Sequence, residues 1–128
     1  MEIEEMKKLV RQLDPAAHTD ENTLREASRN GYCAKEYNED GKLIGMGWIF
    51  PRQTLLRKQA VIEDMIVDEA QRGKGLGRKI LRDLIRWARE HGVEVIELVT
   101  NPKRAAANEL YKSEGFALHE TNHYLLKL

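Results

Sequence analysis

The chain has 128 residues, which is enough for one domain with one hydrophobic core and too few for two domains of ordinary size. Hydrophobic residues make up 41% of it and charged residues 33%, and the formal net charge is zero, so no overall charge directs it to nucleic acid or to an anionic membrane. Cys33 is the only cysteine, which excludes an internal disulfide and a cysteine metal cluster, and we expect no metal site.

The N-terminal stretch MEIEEMKKLVRQL is too charged to form the apolar part of a signal peptide. No apolar run in the sequence reaches the length of a membrane span. We therefore expect a single cytoplasmic domain over residues 1–128, with no membrane partner.

The first half of the chain predicts two helices followed by three strands. Apolar residues recur at helical spacing up to Leu13, where Asp14 and Pro15 stop the pattern. The turn residues NEDGK predict a hairpin, and a nearly continuous apolar run after it predicts a strand buried on both faces. These elements are helices 3–13 and 21–29 and strands 32–37, 43–50 and 59–67, the second strand ending before Pro51.

The second half predicts a helix and a strand, then another helix and two short strands. Apolar residues from Leu76 onward follow a helical period, and His91 with Gly92 ends that helix. Asn101 followed by Pro102 is typical of an N-cap with proline at the first helical position. These elements are a helix from 76 that closes at 91–92, a strand 93–99, a helix 102–114, and strands 116–119 and 123–128. Such an order predicts helices packed on a sheet in one domain.

A glycine-rich stretch, AQRGKGLGRK, lies between the third strand and the third helix. Because no Ser, Thr or Asp caps this helix, its first N–H groups are unpaired and, together with the helix dipole, form an anion site. The spacing fits neither the Gly-x4-Gly-Lys-Ser/Thr phosphate loop nor the dinucleotide fingerprint. A purely structural turn between strand and helix is the alternative. The glycines and basic residues involved are Arg72, Gly73, Lys74, Gly75, Gly77 and Arg78.

A second segment, RAAANELYKSEGF, follows the fourth predicted strand. In it, Asn108 and Tyr111 are three residues apart and share one face of the helix. In order and spacing the two segments resemble the motifs of the GNAT superfamily of acetyl-CoA-dependent N-acetyltransferases, namely Arg/Gln-x-x-Gly-x-Gly/Ala and Ala-x-x-Leu-Tyr-x-x-x-Gly-Phe. The stretches IEDMIVDEAQRG and ETNHY also look like small bacterial members. The resemblance covers roughly residue 41 to the C-terminus.

The resemblance implies an α+β fold of three layers, α/β/α. Its sheet would be mixed but mostly antiparallel, with about six strands, a splayed parallel pair and four helices around it. The two parallel strands would be 59–67 and 93–100, and the acetyl thioester would enter between them. Because the chain starts almost at once in a helix, we expect the usual first strand of the family to be missing.

The resemblance also implies acetyl-CoA as co-substrate, with particular residues around it. The main-chain N–H groups of the glycine loop would hold the pyrophosphate, and the main chain of Ile66 and Val67 would pair with the pantetheine amides like an added strand. Asn108 would bond the pantetheine arm. Tyr111 would lie near the thioester sulfur and protonate the departing thiolate, the alternative being a tyrosine of the core. The candidates for cofactor binding are Ile66, Val67, Arg72, Gly73, Lys74, Gly75, Leu76, Gly77, Arg78 and Asn108.

Transfer to an amine also needs a group that removes the ammonium proton. Glu63 and Asp64 lie in the strand that is expected to be buried, where carboxylates are unusual. Strand alternation predicts that Glu63 shares a face with Met65 and Val67, and that Asp64 points the other way. Glu63 is the candidate catalytic base, directly or through water, and a carboxylate paired with a helix arginine is the alternative.

These observations predict an enzyme that transfers acetyl from acetyl-CoA to a primary amine of a small molecule or peptide. It would act as a monomer or homodimer and without a nucleic-acid partner. A non-catalytic acyl-CoA-binding module of the same fold is the alternative, and the presence of both Tyr111 and Glu63 favours the enzyme. Acidic residues on the expected substrate side favour a cationic amine, namely Asp20, Glu36, Glu39 and Asp40.

Overall fold

The computed structural model describes residues 2–128. In chain order the elements are α1 (Glu2–Leu13), α2 (Glu21–Asn30), β1 (Tyr32–Tyr37), β2 (Leu43–Gln53), β3 (Lys58–Val67), a 3₁₀ turn (Glu69–Gln71), α3 (Leu76–Glu90), β4 (Val95–Leu98) and α4 (Ala105–Ser113). The four predicted helices are all present, and so are the first four predicted strands.

The strands form one sheet in the order β1-β2-β3-β4. The first two pairs are antiparallel, whereas β3 and β4 are parallel and paired from Gln59 with Val95 to Ile62 with Leu98. Since β3 continues to Val67, its last residues have no partner on the β4 side. The mixed sheet with a parallel pair that separates is therefore confirmed.

Helices cover both faces of the sheet, which confirms the three layers. Helix α3 packs on one face through Ile80 and Leu84, which are fully buried. Helix α1 packs on the other face through Met6 and Leu9. On the α3 side a Cβ at Gly47 would lie 2.8 Å from the Ile80 side chain, so only glycine lets the helix come this close to β2.

The sheet has four strands rather than the expected six or so. Within the described residues 2–128 the first element is α1, which begins at Glu2, and no strand comes before it, as expected. The strands predicted at 116–119 and 123–128 are wrong, because residues 116–128 adopt no regular secondary structure. Their apolar pattern is that of a strand, but a strand forms only against an edge that pairs with it.

Two predicted element ends also differ from the structure. Helix α4 begins at Ala105 rather than at Pro102, because the Asn101 side chain accepts a hydrogen bond from Lys103 N (2.9 Å) and closes a turn before the helix. Strand β2 continues through Pro51. Pairing with β1 ends at Ile49, so at Pro51 no strand lies on the β1 side of β2. The missing N–H of Pro51 therefore leaves no hydrogen bond unmade on that side.

Candidate active site

A cleft of about 470 Å³ opens where β3 ends, between the glycine loop and α4. Its position follows from the sheet, because β3 extends beyond the last residue of β4 with which it pairs and leaves a gap beside its C-terminal end. Most of the residues selected from the sequence border this cleft. The lining residues are Met65, Ile66, Val67, Gln71, Arg72, Gly73, Gly75, Leu76, Gly77, Arg78, Arg104, Ala105, Ala106, Ala107, Leu110 and Tyr111.

The glycine loop presents backbone donors to the cleft. Gly75 is the N-cap of α3, and no side chain caps the helix. Gly73 and Gly75 have φ of +83° and +80°, a left-handed conformation that side chains rarely adopt, and a Cβ at either position would meet nothing within 4 Å. The first N–H groups of α3 are thus open to a ligand, and the positive end of the helix dipole adds to their attraction for an anion.

The basic side chains of this loop already have partners within the protein. Arg72 Nε donates to the Val67 carbonyl (3.1 Å), which is one of the main-chain groups selected for pantetheine. Lys74 Nζ donates to Gln71 Oε1 (2.8 Å), and Lys74 does not line the cleft. Arg78 Nη1 lies 2.6 Å from Glu114 Oε2.

Glu114 joins the two helices that flank the cleft, and sequence reasoning did not select it. It lies just after α4 and receives hydrogen bonds from Arg78 and from Arg82 Nε (2.6 Å), both on α3. Its side chain is only 10% exposed, and the Arg82 hydrogen bond in particular lowers the pKa of its carboxyl. We call Glu114, Arg78 and Arg82 the interhelix brace. The signal in the sequence was the pair of arginines Arg78 and Arg82, which are four apart and so lie on one side of α3.

Tyr111 is both buried and at the lining of the cleft. Its residue surface is 6% exposed, and its ring contacts Phe116 edge-on at a centroid distance of 6.0 Å. Burial raises the pKa of the phenol, so the group is protonated at neutral pH. Asn108, one turn earlier on α4, instead donates its amide to the carbonyls of Arg104 (2.9 Å) and Asn101 (3.1 Å), and it does not line the cleft.

Glu63 and Asp64 lie in a β-bulge, which sequence alternation did not foresee. The register passes from Trp48 with Glu63 to Met46 with Ile66, so β3 carries one extra residue, and Asp64 has a φ of 50°. The prediction that Glu63 shares a face of the sheet with Met65 is therefore wrong. Glu63 lies opposite Trp48 on the α1 side of the sheet, whereas Met65 packs in the core on the α3 side.

The two carboxylates are solvent-accessible rather than buried, contrary to expectation. The protein around them still removes enough water to raise both pKa values, and the charge of Asp64 raises the pKa of Glu63 further. Because Glu63 is exposed, the alternative of a buried carboxylate paired with a helix arginine does not describe it. Neither carboxylate lines the cleft, which begins two residues beyond Glu63 at Met65.

Two further polar side chains are at least partly buried. Thr100 follows β4, and within the described residues 2–128 its buried hydroxyl has no hydrogen-bond partner. Cys33 is half-buried, and burial raises the pKa of its thiol to about 12. Nowhere in residues 2–128 is a helix long and apolar enough to cross a membrane.

Comparison with known proteins identifies the family. A sequence profile described as the acetyltransferase (GNAT) family matches residues 2–116. The chain belongs to this family. The predicted resemblance is confirmed, and the glycine loop and Tyr111 both fall within the matched region.

Individual GNAT relatives agree with this assignment. An uncharacterised N-acetyltransferase of Bacillus subtilis, YdgE, is 33% identical over 91 residues, which cover 71% of this chain and 58% of that protein. Human N-acetyltransferase 8B is 28% identical over 110 residues, 83% of this chain and 48% of that protein. The chain thus spans only about half the length of these curated relatives.

A solved structure supports the fold. A solved structure of a protein from Agrobacterium tumefaciens superposes with a TM-score of 0.83 at 24% identity, covering 98% of this chain and 94% of that one. At this identity the match establishes the shared GNAT fold and leaves the substrate of this chain to its own residues.

Proposed function

We propose that the protein is an acetyl-CoA-dependent N-acetyltransferase that acts on a primary amine of a small molecule or peptide. One observation carries the proposal: the uncapped N-terminus of α3 and the buried Tyr111 border the same cleft of about 470 Å³. The helix N-terminus suits a diphosphate, and the phenol of Tyr111 suits a leaving thiolate that needs a proton. Membership of the acetyltransferase family supports this combination.

The residues of the cleft fit the parts of acetyl-CoA. The main-chain N–H groups from Arg72 to Gly77 would receive the pyrophosphate, and the main chain of Ile66 and Val67 would pair with the pantetheine amides. For that pairing Arg72 must release the Val67 carbonyl, which frees the guanidinium for the phosphates. Asn108 would have to give up its two hydrogen bonds to the carbonyls of Asn101 and Arg104, which precede α4, so we propose that it contributes less to this binding.

The chemistry follows from the proton transfers that the reaction needs. The amine nitrogen forms a bond to the thioester carbonyl carbon, and the carbon–sulfur bond breaks. Tyr111 donates its phenolic proton to the departing sulfur. Glu63, directly or through a water molecule, accepts the proton that the ammonium group loses, because its raised pKa makes it a stronger base than an ordinary glutamate.

The acceptor is proposed to be cationic before it reacts. Glu63 and Asp64 are two adjacent, accessible carboxylates that directly precede the part of β3 that lines the cleft, and their charges attract an ammonium group. One of the acidic residues used for the sequence argument, Glu36, is instead paired with Lys79 at 3.3 Å. The bulge therefore supports this proposal better than Glu36 does.

A turnover screen tests the proposal. Release of the CoA thiol is followed with acetyl-CoA and a panel of amines that runs from polyamines and amino sugars to peptide N-termini and anionic amino acids. Cys33 contributes little background to a thiol reagent, because its pKa is raised to about 12. We expect turnover with cationic amines. Binding of CoA without turnover of any amine would favour the non-catalytic acyl-CoA-binding module, and absence of CoA binding would overturn both.

A further inference from the structure

Thr100 carries a polar group to which the fold gives no partner. Its hydroxyl oxygen is buried, and within residues 2–128 it forms no hydrogen bond. Burying a hydroxyl without a hydrogen bond costs folding free energy, so such groups are uncommon in native proteins. Valine has nearly the same shape and would avoid this cost. The presence of threonine here therefore indicates that a bound molecule uses the hydroxyl.

The backbone places Thr100 where the two parallel strands separate. Ile62 and Leu98 are the last residues that pair between β3 and β4, and Thr100 lies two residues beyond Leu98. On the other strand, β3 begins to line the cleft at Met65, three residues beyond Ile62. Thr100 and the start of the cleft therefore lie on the two sides of the same gap.

Thr100 also lies on the side of the sheet that carries Tyr111. Ile96 and Leu98 pack against the core cluster that contains Tyr111 and the buried residues of α3. Exposure alternates residue by residue over 95–100, and Thr100 belongs with Ile96 and Leu98 to the less exposed set. The hydroxyl is thus on the same side of the sheet as the proposed acid.

Acetyl transfer needs a hydrogen-bond donor in addition to the acid and the base. When the amine nitrogen bonds to the thioester carbon, an electron pair of the C=O bond moves to the oxygen, and a donor held in place beforehand stabilises this charge. In the proposed complex the sulfur lies at Tyr111. The carbonyl oxygen is two bonds from the sulfur, within the gap between β3 and β4 that we expect the thioester to enter.

We propose that Thr100 is a further catalytic residue, whose hydroxyl donates a hydrogen bond to the thioester carbonyl oxygen. The bond strengthens as the oxygen becomes negative, and because the hydroxyl is shielded from bulk water the gain is larger than in solution. Thr100 keeps its proton throughout: the C=O bond forms again when the carbon–sulfur bond breaks and Tyr111 protonates the sulfur. The assignment rests on the proposed function, because a bound thioester supplies the oxygen.

Turnover of Thr100→Val gives the first test, because valine keeps the shape and removes the hydroxyl. We expect kcat to fall by roughly 100- to 1,000-fold, with KM for the amine nearly unchanged, since the hydrogen bond is strongest in the transition state. Thr100→Ser keeps a hydroxyl and should retain most of the turnover. Thr54→Val is the matched control and should retain it too, since Thr54 Oγ1 donates to the Arg57 carbonyl (3.2 Å) in the β2–β3 turn, away from the cleft. Equal kcat in Thr100→Val and the unmodified chain would overturn the proposal.

The melting temperature without ligand separates this role from a structural one. A buried hydroxyl without a partner destabilises the fold, so Thr100→Val should melt higher than the unmodified chain, by about 2–8 °C. Thr54→Val should melt no higher, because it removes a hydroxyl that has a partner. A lower melting temperature in Thr100→Val would mean that the hydroxyl is already bonded, for example to a buried water, and would also overturn the proposal.

Infrared spectroscopy of bound acetyl-CoA, labelled isotopically at the carbonyl carbon, measures the contact itself. A hydrogen bond to the oxygen weakens the C=O bond and lowers its stretching frequency. We therefore expect a higher frequency in the complex with Thr100→Val than in the complex with the unmodified chain, and equal frequencies would overturn the proposal even if turnover falls. Calorimetry on the unmodified chain comes first: if acetyl-CoA does not bind, the proposed function and the role of Thr100 fail together. If acetyl-CoA binds and is turned over equally by Thr100→Val, only the role of Thr100 fails.

Discussion

At the scale of single residues, Tyr111 combines two properties that the sequence presented as alternatives. It packs in the core against Phe116, and it also lines the cleft. Burial raises the pKa of its phenol, so the proton stays on the oxygen at neutral pH. The core packing of this residue therefore keeps the phenol in the protonated form that its proposed role as an acid requires.

Replacing Tyr111 by phenylalanine keeps the ring and removes the proton. We expect Tyr111→Phe to reduce turnover by roughly 100- to 10,000-fold, with little change in CoA affinity, because the groups proposed to bind the pyrophosphate lie on the glycine loop. Turnover, CoA binding by calorimetry and melting temperature are measured on the same preparation. Tyr32→Phe is the control, since it removes a hydroxyl that donates to Asp83 (2.8 Å) away from the cleft. Near-normal turnover in Tyr111→Phe would leave Tyr111 a purely structural residue.

The bulge carboxylates give a prediction for the pH dependence of turnover. Glu63 acts as a base only when ionised, so turnover should fall as the pH drops through its raised pKa. Asp64→Asn removes the like charge that contributes to this rise, and asparagine tolerates the positive φ of the bulge. We expect this variant to move the acidic limb of the pH profile of kcat/KM to lower pH, and Glu63→Gln to lower turnover by roughly 100- to 10,000-fold. If Asp64→Asn abolishes turnover and Glu63→Gln does not, Asp64 is the base.

At the scale of elements, the glycine loop joins a strand end to an uncapped helix. Gly75→Glu places a negative side chain where a diphosphate would sit, and it also imposes the strain of a side chain at a φ of +80°. We expect CoA affinity to fall by at least about tenfold, or about 1.4 kcal/mol. Gly41→Glu is the matched control, because Gly41 has a φ of +78° and open space around its Cβ in the β1–β2 turn. Both variants should lose about 1–2 kcal/mol of stability, and equal CoA affinity in the two would contradict the anion site.

The elements also show where sequence reasoning worked and where it stopped. Helix α3 was predictable because Ile80, Leu81 and Leu84 repeat with the helical period and are all buried. The glycine loop was predictable because an uncapped helix start needs no distant partner. The bulge at Asp64 was not predictable, because strand alternation assumes that each residue of one strand pairs with one residue of the other. Nothing in the local sequence signals the extra residue in β3. The prediction of strands at 116–119 and 123–128 was wrong for a related reason: the apolar pattern specifies a strand, but it does not specify a partner strand within the chain.

At the scale of the whole molecule, a few carboxylates tie separate elements together. Glu2 of α1 accepts hydrogen bonds from Tyr37 and Lys35 of β1, which lower its pKa. Asp68 accepts one from Gln12 of α1 (3.1 Å), with the same effect on its pKa. Glu114 connects α3 and the end of α4 through the interhelix brace, whose hydrogen bonds lower its pKa. The outer layers are thus joined to the sheet and to each other by groups that need their negative charge.

The dependence of stability on pH follows from the direction of these pKa shifts. A carboxyl whose pKa is lower in the folded state than in the unfolded chain stabilises the fold above its unfolded pKa, and this contribution is lost as the pH falls toward its folded pKa. Glu63 and Asp64 have the opposite sign, because their raised pKa values favour the fold when they are protonated. The three carboxyls with lowered pKa values, Glu2, Asp68 and Glu114, outnumber the two with raised values, so acid should destabilise the protein on balance.

We therefore expect the melting temperature, measured by scanning calorimetry, to fall steadily as the pH is lowered from about 6 to about 3, across the unfolded pKa range of carboxyls. Glu114→Gln should lower the melting temperature at pH 7 and make the acid slope shallower, because a neutral amide has no charge to lose. Glu109→Gln is the control, since Glu109 forms only an exposed pair with Lys112 at 3.9 Å. It should leave both the melting temperature and the slope nearly unchanged. An acid slope that is identical in Glu114→Gln and in the unmodified chain would mean that the interhelix brace does not stabilise the cleft through its charge.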